Sequence, residues 1–187
     1  TDPLMALYLP MEGGESNALL DFSGNNVGVT AVDNPTWLAD GGHDGNGAFE
    51  FDNEYLNAGN TFPTSSSYTK TAWVRITAYA SNNIISGSNN STGHALWTRN
   101  NSNDTVSAGH HGDWDFVIDP NPLDLDTWYF IAVTFDFVTG EMILYRDGDP
   151  VDVGTVVEGD RDVTDDTLYI GAFNGGYQMN GRIDDAR

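Results

Sequence analysis

The stretch TWYFIAVTFDFVTGEMILYRDGDPVDV, residues 127–153, carries the clearest folding signal in the chain. Apolar, aromatic and β-branched residues alternate with polar ones on either side of Thr139-Gly140, which is typical of half-buried β-strands. Asp147-Gly148-Asp149 marks a second break, and both breaks contain residues that tolerate the positive φ angles of tight hairpin turns. The stretch therefore predicts a meander of antiparallel strands, the last of them at 151–154.

The same alternation recurs from one end of the chain to the other, with Gly, Asn, Asp and Ser between the apolar runs. Strands are predicted at 4–11, 27–32, 47–51, 70–79, 83–86, 94–99, 105–111, 114–119, 127–138, 141–147, 151–154, 166–173 and 179–186. No helix longer than a turn is predicted. Strands separated by turn signals, without crossover helices, predict an all-β fold, namely a two-sheet antiparallel β-sandwich of the jelly-roll type.

The composition favours one folded domain. Of the 187 residues, 39% are hydrophobic and 12% aromatic, so the chain can bury a core of the size usual for a single domain. It contains no cysteine, which excludes a disulfide scaffold and thiolate metal sites.

No apolar run reaches the roughly 18 residues of a membrane helix. TDPLMALYLPMEGG at the N-terminus lacks a charged region before its apolar stretch, so no signal peptide is expected, as in a mature secreted module.

The net charge is strongly negative. The 28 acidic side chains and 7 basic ones give a formal charge of −21, and such a surface repels nucleic-acid phosphates and anionic membranes. We therefore expect no nucleic-acid partner and no membrane insertion. Two interpretations of the acidity stay open: a solvated, salt-adapted surface like that of marine or halophilic secreted bacterial proteins, or carboxylate clusters that hold Ca²⁺.

Two polar stretches are predicted to be surface loops. SGSNNSTG, residues 86–93, is short and rich in small polar residues. N-x-S/T sequons in it, and at Asn100 and Asn103, would accept glycans in a source that glycosylates secreted proteins. EGDRDVTDDT, residues 158–167, concentrates carboxylates but lacks the Gly and Glu positions of an EF-hand loop, so a solvated acidic loop is expected.

Several segments, taken in order, resemble the laminin-G-like, or concanavalin-A-like, jelly-roll family. These segments are LYLPMEGG, LLDFSGNNVGVT, GAFEFDNEYLNAG, KTAWVRI, LDTWYFIAVTFDFVTGEMILYRDGDPV, LYIGAFN and GRIDDAR. Asp21, Ser23, Gly24 and Asn25 match the family's Asp-x-Ser-Gly-Asn loop. The order and spacing carry the resemblance, which covers nearly the whole chain.

The resemblance implies a single jelly-roll domain over residues 1–187. The family's last strand normally continues past I-D-D-x-R with an apolar-Tyr pair, so the domain is expected to lack its last few C-terminal residues. Residues 86–126 lack family signatures, and this is where members differ in ligand. The fold hosts enzymes, lectins and protein-binding modules alike, so the site residues must decide the function.

Three carboxylates alternate in GAFEFDNEYL: Glu50, Asp52 and Glu54. On one continuous strand they would face one side, as in the E-x-D-x-E motif of laminarinase- and lichenase-type retaining glycoside hydrolases, and this activity is an alternative function. In the jelly-roll pattern, however, the residue after Phe-Asp is a turn. Asn53 is therefore expected to interrupt the strand, so that Glu54 need not face Glu50, and we expect no catalysis.

The densest polar and aromatic cluster is SAGHHGDWDF, residues 107–116. Trp and His rings stack on the apolar face of a sugar while carboxylates and amides bind its hydroxyls. Two more aromatic rings could join this cluster: Trp97, on the predicted strand 94–99, and Tyr177, on a Gly-rich loop. The adjacent His110 and His111 are not expected to share a transition metal, because neighbouring residues on a strand point to opposite faces. A purely structural alternative also stays open, in which the tryptophan caps the sandwich and the two histidines face solvent. The candidate ligand-binding residues are Trp97, His110, His111, Asp113, Trp114 and Tyr177.

A structural Ca²⁺ is also implied by the resemblance, at a junction where the chain termini meet. The candidate ligands are carboxylates that follow or end terminal strands: Glu12, Asp52, Asp184 and Asp185. In I-D-D one Asp must face inward if its neighbour faces outward, and an inward carboxylate costs free energy unless a cation neutralises it. The alternative is that Asp184 or Asp185 caps loop amides without a metal.

These observations predict a non-catalytic, lectin-like carbohydrate-binding module with a structural calcium ion. Its partner would be a glycan or polysaccharide, and it would be one module of a larger extracellular or cell-surface polypeptide with other domains. Besides the glycoside hydrolase, a protein-interaction or spacer module of an adhesin remains an alternative.

Overall fold

The computed structural model describes residues 4–99 and 105–187, so the predicted sequons at Asn100 and Asn103 lie outside the described residues. Fourteen strands are present in this part: β1 Thr30–Val32, β2 Thr36–Leu38, β3 Ala48–Asp52, β4 Tyr55–Asn60, β5 Tyr68–Ile76, β6 Ile85–Ser86, β7 His94–Thr98, β8 Thr105–His110, β9 Asp113–Pro122, β10 Tyr129–Phe135, β11 Glu141–Arg146, β12 Asp149–Thr155, β13 Thr167–Ile170 and β14 Asn180–Asp184. A 3₁₀ turn spans Glu158–Asp160. Within the described ranges no helix is long and apolar enough to cross a membrane.

The strands form three antiparallel sheets. One has the order β12-β11-β10-β5-β14-β3-β2, the second β1-β4-β13-β6, and the third β7-β8-β9. β7 lies beside β6, so the two smaller sheets together make the layer that faces the seven-stranded sheet across one hydrophobic core. The predicted all-β, two-layer antiparallel β-sandwich is confirmed.

The meander at 127–153 folds as its turn residues predict. Phe135 pairs with Met142 and Ile131 with Arg146 across β10 and β11. Gly140 has a φ of 81° and Gly148 a φ of 90°, the left-handed values that glycine adopts without steric cost. The two turns therefore fix the register, and every second side chain of β10 is directed into the core.

Strand alternation also decides which side of GAFEFD faces inward. The side chains of Phe49 and Phe51 are 2% and 1% exposed, whereas Glu50 between them points to the outer face and bonds to Arg182. Burial of each ring contributes roughly 1.5–3 kcal/mol to the free energy of folding. β3 is thus fixed by its phenylalanines.

The predicted strand at 4–11 was wrong as a continuous strand. A single bridge joins Leu9 to Ala186, with N–O distances of 2.9 and 3.0 Å. Side chains satisfy part of the remaining backbone, because the amide of Tyr8 donates to Asp21 Oδ1 at 3.1 Å. Burial would raise the pKa of Asp21, but hydrogen bonds from backbone amides lower it. The Asp21 loop therefore holds the first segment in place of a strand ladder.

Two strands of the structure, β2 and β4, are absent from the predicted strands, and the ends of several others differ. β2 has three residues, too few to show alternation, and β4 begins directly after the turn at Asn53. β9 continues to Pro122, beyond the predicted 114–119. It lies at the edge of its sheet, and an edge strand accommodates prolines that lack a backbone donor.

Candidate functional site

The three-stranded sheet presents two chemically different faces. Successive residues of a strand point to opposite sides, so Trp97 faces outward while His94, fully buried, faces the core. The register pairs Trp97 with Ser107 and His94 with His110. The outward face carries the candidate recognition site.

An open cleft of about 250 Å³ lies over this outward face, and we call it the aromatic cleft. Its lining is aromatic or uncharged and polar, apart from one alanine: Ser81, Asn83, Asn90, Ala95, Trp97, Trp114, Phe173 and Tyr177. The structure thus brings together Trp97, Trp114 and Tyr177 of the six predicted ligand-binding residues. Phe173 and the amide side chains were missed.

The two tryptophans are held in place by β8 and β9. Trp97 Nε1 donates to the carbonyl of Trp114 at 3.2 Å, and the Ser107 hydroxyl oxygen lies 3.4 Å from the same carbonyl oxygen. The Trp114 ring meets Phe173 edge-on, with centroids 5.2 Å apart. A side-chain carbon at Gly109 would lie 2.7 Å from the carbonyl carbon of Trp114, so only glycine lets β9 approach this closely.

Tyr177 stands at the rim on a Gly-rich loop. Its side chain is 67% exposed, and its φ of 49° is left-handed. The Asn83 side-chain amide donates to the Tyr177 carbonyl at 2.9 Å, and Phe173 and Gly176 exchange backbone hydrogen bonds of 2.9 Å. The loop is therefore anchored through its backbone, which leaves the ring exposed towards a ligand.

Asn90 reaches the cleft on the 86–93 loop, which a buried carboxylate organises. Asp165, 7% exposed, accepts hydrogen bonds from the amides of Ser88 at 2.6 Å and Asn89 at 2.8 Å. Thr167 donates its amide to the other oxygen at 3.1 Å. The sequence predicted 158–167 to be a solvated acidic loop, and for Asp165 this was wrong because its carboxylate caps a loop distant in sequence.

His110 does not reach the aromatic cleft. It is 2% exposed, with Nε2 2.9 Å from the Tyr68 hydroxyl and Nδ1 3.1 Å from the Asp160 carbonyl. Burial lowers the pKa of His110 to about 4 and raises that of Tyr68. The imidazole is therefore neutral at physiological pH and belongs to the core.

His111 and Asp113 lie at the β8–β9 turn, away from the tryptophans. Together with His110, Phe116 and Asp160 they line a second cleft of about 240 Å³. The six predicted residues therefore do not form one site: three line the aromatic cleft and three line this second cleft.

A buried amine lies next to the histidines and was missed in the sequence. Lys70 Nζ is 2.5 Å from His94 Nδ1 and 3.2 Å from the Ile85 carbonyl, and the His94 ring stacks on Phe62 at 3.5 Å. Burial lowers the pKa of both Lys70 and His94 well below the ordinary values. The sequence did contain a signal for this burial. Lys70 lies two residues before Ala72 on β5, so both side chains point to the inward face of that strand.

A group of candidate cation ligands lies beside β14 of the seven-stranded sheet. Ligand atoms of His43, Asp44 and Asp184 all lie within 4.8 Å of one another. Asp184 Oδ2 is 2.7 Å from His43 Nδ1 and accepts the His43 amide at 3.1 Å. Burial raises the pKa of Asp184 although the hydrogen bonds from His43 oppose the shift. His43 also stacks on Trp73, with centroids 4.1 Å apart.

The four predicted calcium ligands do not converge. Asp52 pairs with Asn180 at the end of β14 opposite to Asp184, about 13 Å away at the usual strand rise. Asp185 turns aside to an ion pair with Arg187 at 3.0 Å. Glu12 accepts the amide of Gly47 at 3.1 Å. Only Asp184 of the predicted set joins the described cation group, because strand geometry separates the others.

Residues 42–47 supply the part of this group that sequence reasoning missed. His43 and Asp44 sit in the Gly-rich run GGHDGNG, where the Gly42 amide donates to the Asn46 carbonyl at 2.7 Å. A histidine next to an aspartate in such a tight loop was the sequence signal that could have indicated a cation site here.

The three alternating carboxylates are not aligned. Glu50 forms an ion pair with Arg182 at 3.0 Å, and Glu54 turns back to accept the amide of Asp52 at 2.5 Å. Asn53 has a φ of 75°, so the strand is interrupted as predicted. The carboxylates therefore do not line one side of a groove.

A two-layer antiparallel β-sandwich with an exposed aromatic cleft defines the class of this protein. The chain belongs to the concanavalin A-like lectin/glucanases superfamily, whose family model matches residues 43–187. No significant match was found among curated protein sequences.

Solved structures with low sequence identity share the fold. Domain 4 of a family 43 extracellular arabinanase from Geobacillus stearothermophilus, in complex with arabinotriose, has 16% identity, a TM-score of 0.73 and coverage of 97% of this chain and 90% of that one. A carbohydrate-binding protein of uncertain assignment from Bacteroides ovatus has 22% identity, a TM-score of 0.60 and coverage of 75% and 42%. The binding domain of botulinum neurotoxin DC in complex with SialylT has 17% identity, a TM-score of 0.64 and coverage of 98% and 47%.

Proposed function

We propose that this protein is a non-catalytic carbohydrate-binding module whose ligand site is the aromatic cleft. The observation that carries the proposal is the convergence of Trp97, Trp114 and Tyr177 around an open cleft beside uncharged amide and hydroxyl groups. Exposed aromatic rings stack on the apolar face of a sugar, and amides bind its hydroxyls. The arabinanase domain with arabinotriose and the neurotoxin domain with SialylT support this use of the fold.

Binding to immobilised polysaccharides tests the site. Trp114→Ala and Tyr177→Ala should each lower the affinity for a bound glycan about tenfold, which corresponds to about 1.4 kcal/mol. Trp128→Ala is the matched control, because Trp128 lies 6.5 Å from His43, in the cation-group region. Circular dichroism would verify folding. If no glycan on a broad array binds, the proposal fails and a protein-interaction or spacer module becomes the better explanation.

The absence of catalysis is part of the proposal. Retaining glycosidases place two carboxyl groups about 5–5.5 Å apart on either side of the scissile bond, whereas Glu50 is held by Arg182 and Glu54 by the backbone of Asp52. We expect no release of reducing ends from laminarin or lichenan. Release that disappears in Glu50→Gln would overturn this part.

We also propose that the group of His43, Asp44 and Asp184 holds a structural Ca²⁺. The donor set fits a cation, because two carboxylates approach each other and one of them is buried. Ca²⁺ prefers oxygen ligands, and the carboxylates of Asp44 and Asp184 supply them. His43, whose imidazole suits Zn²⁺ better, would position Asp184.

The melting temperature in CaCl₂ and in EGTA tests the ion. A ligand that binds the folded state stabilises it by an amount that grows with its free concentration, about 2.7 kcal/mol at one hundred times Kd. Asp44→Asn should abolish the calcium-dependent increase, and Asp40→Asn, at an exposed neighbouring position, should retain it. An identical melting temperature in both buffers would count against the ion.

The proposed setting is extracellular, within a larger secreted or cell-surface polypeptide. The chain spans 42% and 47% of two of its structural neighbours, which supports a modular context. Antiserum raised against the domain should label intact cells or precipitate the protein from the culture supernatant. A signal found only after the cells are broken would contradict this localisation.

A further inference from the structure

We infer that the aromatic cleft selects uncharged sugars and excludes sialic acids, uronic acids and sulfated sugars. This inference rests on the proposed carbohydrate-binding function and names the chemical class of its ligand. Three observations carry it: the chemistry of the lining, the partners of the cationic side chains and the size of the cleft.

The lining has hydrogen-bonding groups but no charge among the described residues. Ser81, Asn83 and Asn90 supply hydroxyl and amide groups, and the remaining surface is aromatic except for Ala95. Sites for carboxylate and sulfate groups use cationic side chains or clustered backbone amides that offset the cost of desolvating the anion. The cleft therefore matches sugar hydroxyls, and its described lining offers no cationic side chain to an acidic group.

The basic side chains of the chain, all within the described residues, are committed elsewhere. Lys70 is buried against His94, and Arg161 donates to two backbone carbonyls. The other arginines form ion pairs with carboxylates: Arg75, Arg99, Arg146, Arg182 and Arg187.

Arg99 directly follows β7, the strand that carries Trp97. It pairs with Asp115 at 2.9 Å, and Asp115 also accepts the Ser107 hydroxyl at 2.7 Å. This pair adds no net positive charge beside the cleft, while the whole chain carries −21. An anionic sugar would therefore meet a repulsive field without a local counter-charge.

The size of the cleft limits how much of a glycan it contacts. A volume of about 250 Å³ is below the roughly 300–1,000 Å³ of sites for drug-sized ligands. The cleft thus holds about one ring between its aromatic side chains. Because a single ring dominates the contact, a charge on that ring decides binding.

Matched pairs of glycans that differ in charge test the inference. The array contains lactose and sialyllactose, methyl-esterified and free oligogalacturonides, unsulfated and sulfated galactan, and xylan and glucuronoxylan. We expect binding confined to neutral members, with at least a tenfold preference within any pair that binds. An acidic member that binds more tightly than its neutral partner overturns the inference and leaves the proposed function intact. No binding by any member overturns both.

Restoring a positive charge provides the reciprocal test. Asn90→Lys should increase binding to the acidic member of a recognised pair at least threefold at low salt, and the gain should disappear between about 0.05 and 0.5 M NaCl because salt screens exposed charges. Asn90→Gln is the matched control and should show no gain. If Asn90→Lys leaves the preference unchanged, charge does not govern the selectivity and the inference is wrong. The inference is also wrong if wild-type binding falls steeply with salt, because charge attraction would then contribute to binding.

Discussion

The two faces of the β7–β9 sheet use aromatic and imidazole rings in opposite ways. On the outer face Trp97 and Trp114 border an open cleft, and Trp97 Nε1 bonds to the Trp114 carbonyl. On the inner face His94 and His110 are 0% and 2% exposed. One face offers ring surface to solvent, and the other buries ionisable groups whose charged forms are disfavoured.

The difference teaches that position along a strand, more than residue type, assigns these side chains their roles. His110 and His111 are neighbours in sequence, yet one bonds to the Tyr68 hydroxyl in the core and the other lies at the turn. The outer face is expected to govern ligand binding and the inner face stability and its pH dependence. Four predictions test this division.

Gly109→Ala should have the largest effect, because it damages both faces together. The added carbon would overlap the Asp113 carbonyl and lie 2.7 Å from the Trp114 carbonyl carbon, and backbone atoms cannot rotate away. We expect a loss of about 3 kcal/mol or more in the free energy of unfolding, measured by urea denaturation, together with loss of glycan binding.

Gly159→Ala is the control for this change. Gly159 lies in the 3₁₀ turn and an added carbon there meets nothing within 4 Å, so stability should change by less than about 0.5 kcal/mol. Equal stability of the two variants would show that β8 and β9 can separate without cost.

Between about pH 6.5 and 4, acid should destabilise the protein through the buried histidines of the inner face. The pKa of His110 is lowered to about 4 in the fold, against about 6.5 in an unfolded chain. Between these values the unfolded state binds more protons, so stability falls as pH drops from about 6.5 to 4, by roughly 3 kcal/mol for this group. His94, also with a lowered pKa, acts in the same direction.

The variant His110→Gln isolates the effect from the surface carboxylates. Tyr68, Lys70, His111 and the Asp160 carbonyl face or influence His110 and are retained in the variant. Urea midpoints should fall less between pH 7 and pH 5 in His110→Gln than in wild type, while Trp114→Ala should keep the wild-type slope. Parallel curves for wild type and His110→Gln would refute the assignment.

The sequence predicted the large sheet well because its strands alternate clearly and end at Gly or Asp turns. The 127–153 meander and the interruption at Asn53 are examples. It failed at 4–11 because side chains from the Asp21 loop, rather than a neighbouring strand, bind that backbone. The alternation of apolar and polar residues cannot show that side chains take the place of a neighbouring strand.

Part of the lining of the aromatic cleft was predicted from the sequence, for a related reason. Trp97, Trp114 and Tyr177 stood out as aromatic residues in polar surroundings, but all six residues of β8 are buried, so the sequence could not tell which face carries His110. Asn83 and Asn90 join the cleft through contacts with the 171–178 loop and with Asp165, which are distant in sequence. Such contacts between distant segments cannot be predicted from local sequence patterns.

Asp165→Asn should have a moderate effect that reaches the outer face from outside the sheet. An amide cannot accept all the bonds that Asp165 receives from Ser88, Asn89 and Thr167, so we expect a loss of about 2 kcal/mol. Loosening of the 86–93 loop should also weaken glycan binding about threefold, or about 0.7 kcal/mol. Thermal unfolding and isothermal titration calorimetry measure the two effects.

Asp166→Asn is the matched control at the next position. Within the described ranges no hydrogen bond to its carboxylate is found, so a change below about 0.5 kcal/mol is expected. If Asp165→Asn loses stability but retains full affinity, the loop does not help to shape the cleft.

Tyr177→Phe should have the smallest effect and separates the ring from its hydroxyl. The ring is 67% exposed, and its loop is held through the Tyr177 carbonyl, which the substitution retains. Stacking depends on the ring face, so affinity should fall less than about threefold, under about 0.7 kcal/mol, against about tenfold for Tyr177→Ala. Competition binding with one neutral glycan measures both variants. Equal losses would mean that the hydroxyl, not the ring, contacts the sugar, and the outer face would then bind by hydrogen bonds rather than by the stacking that distinguishes it from the inner face.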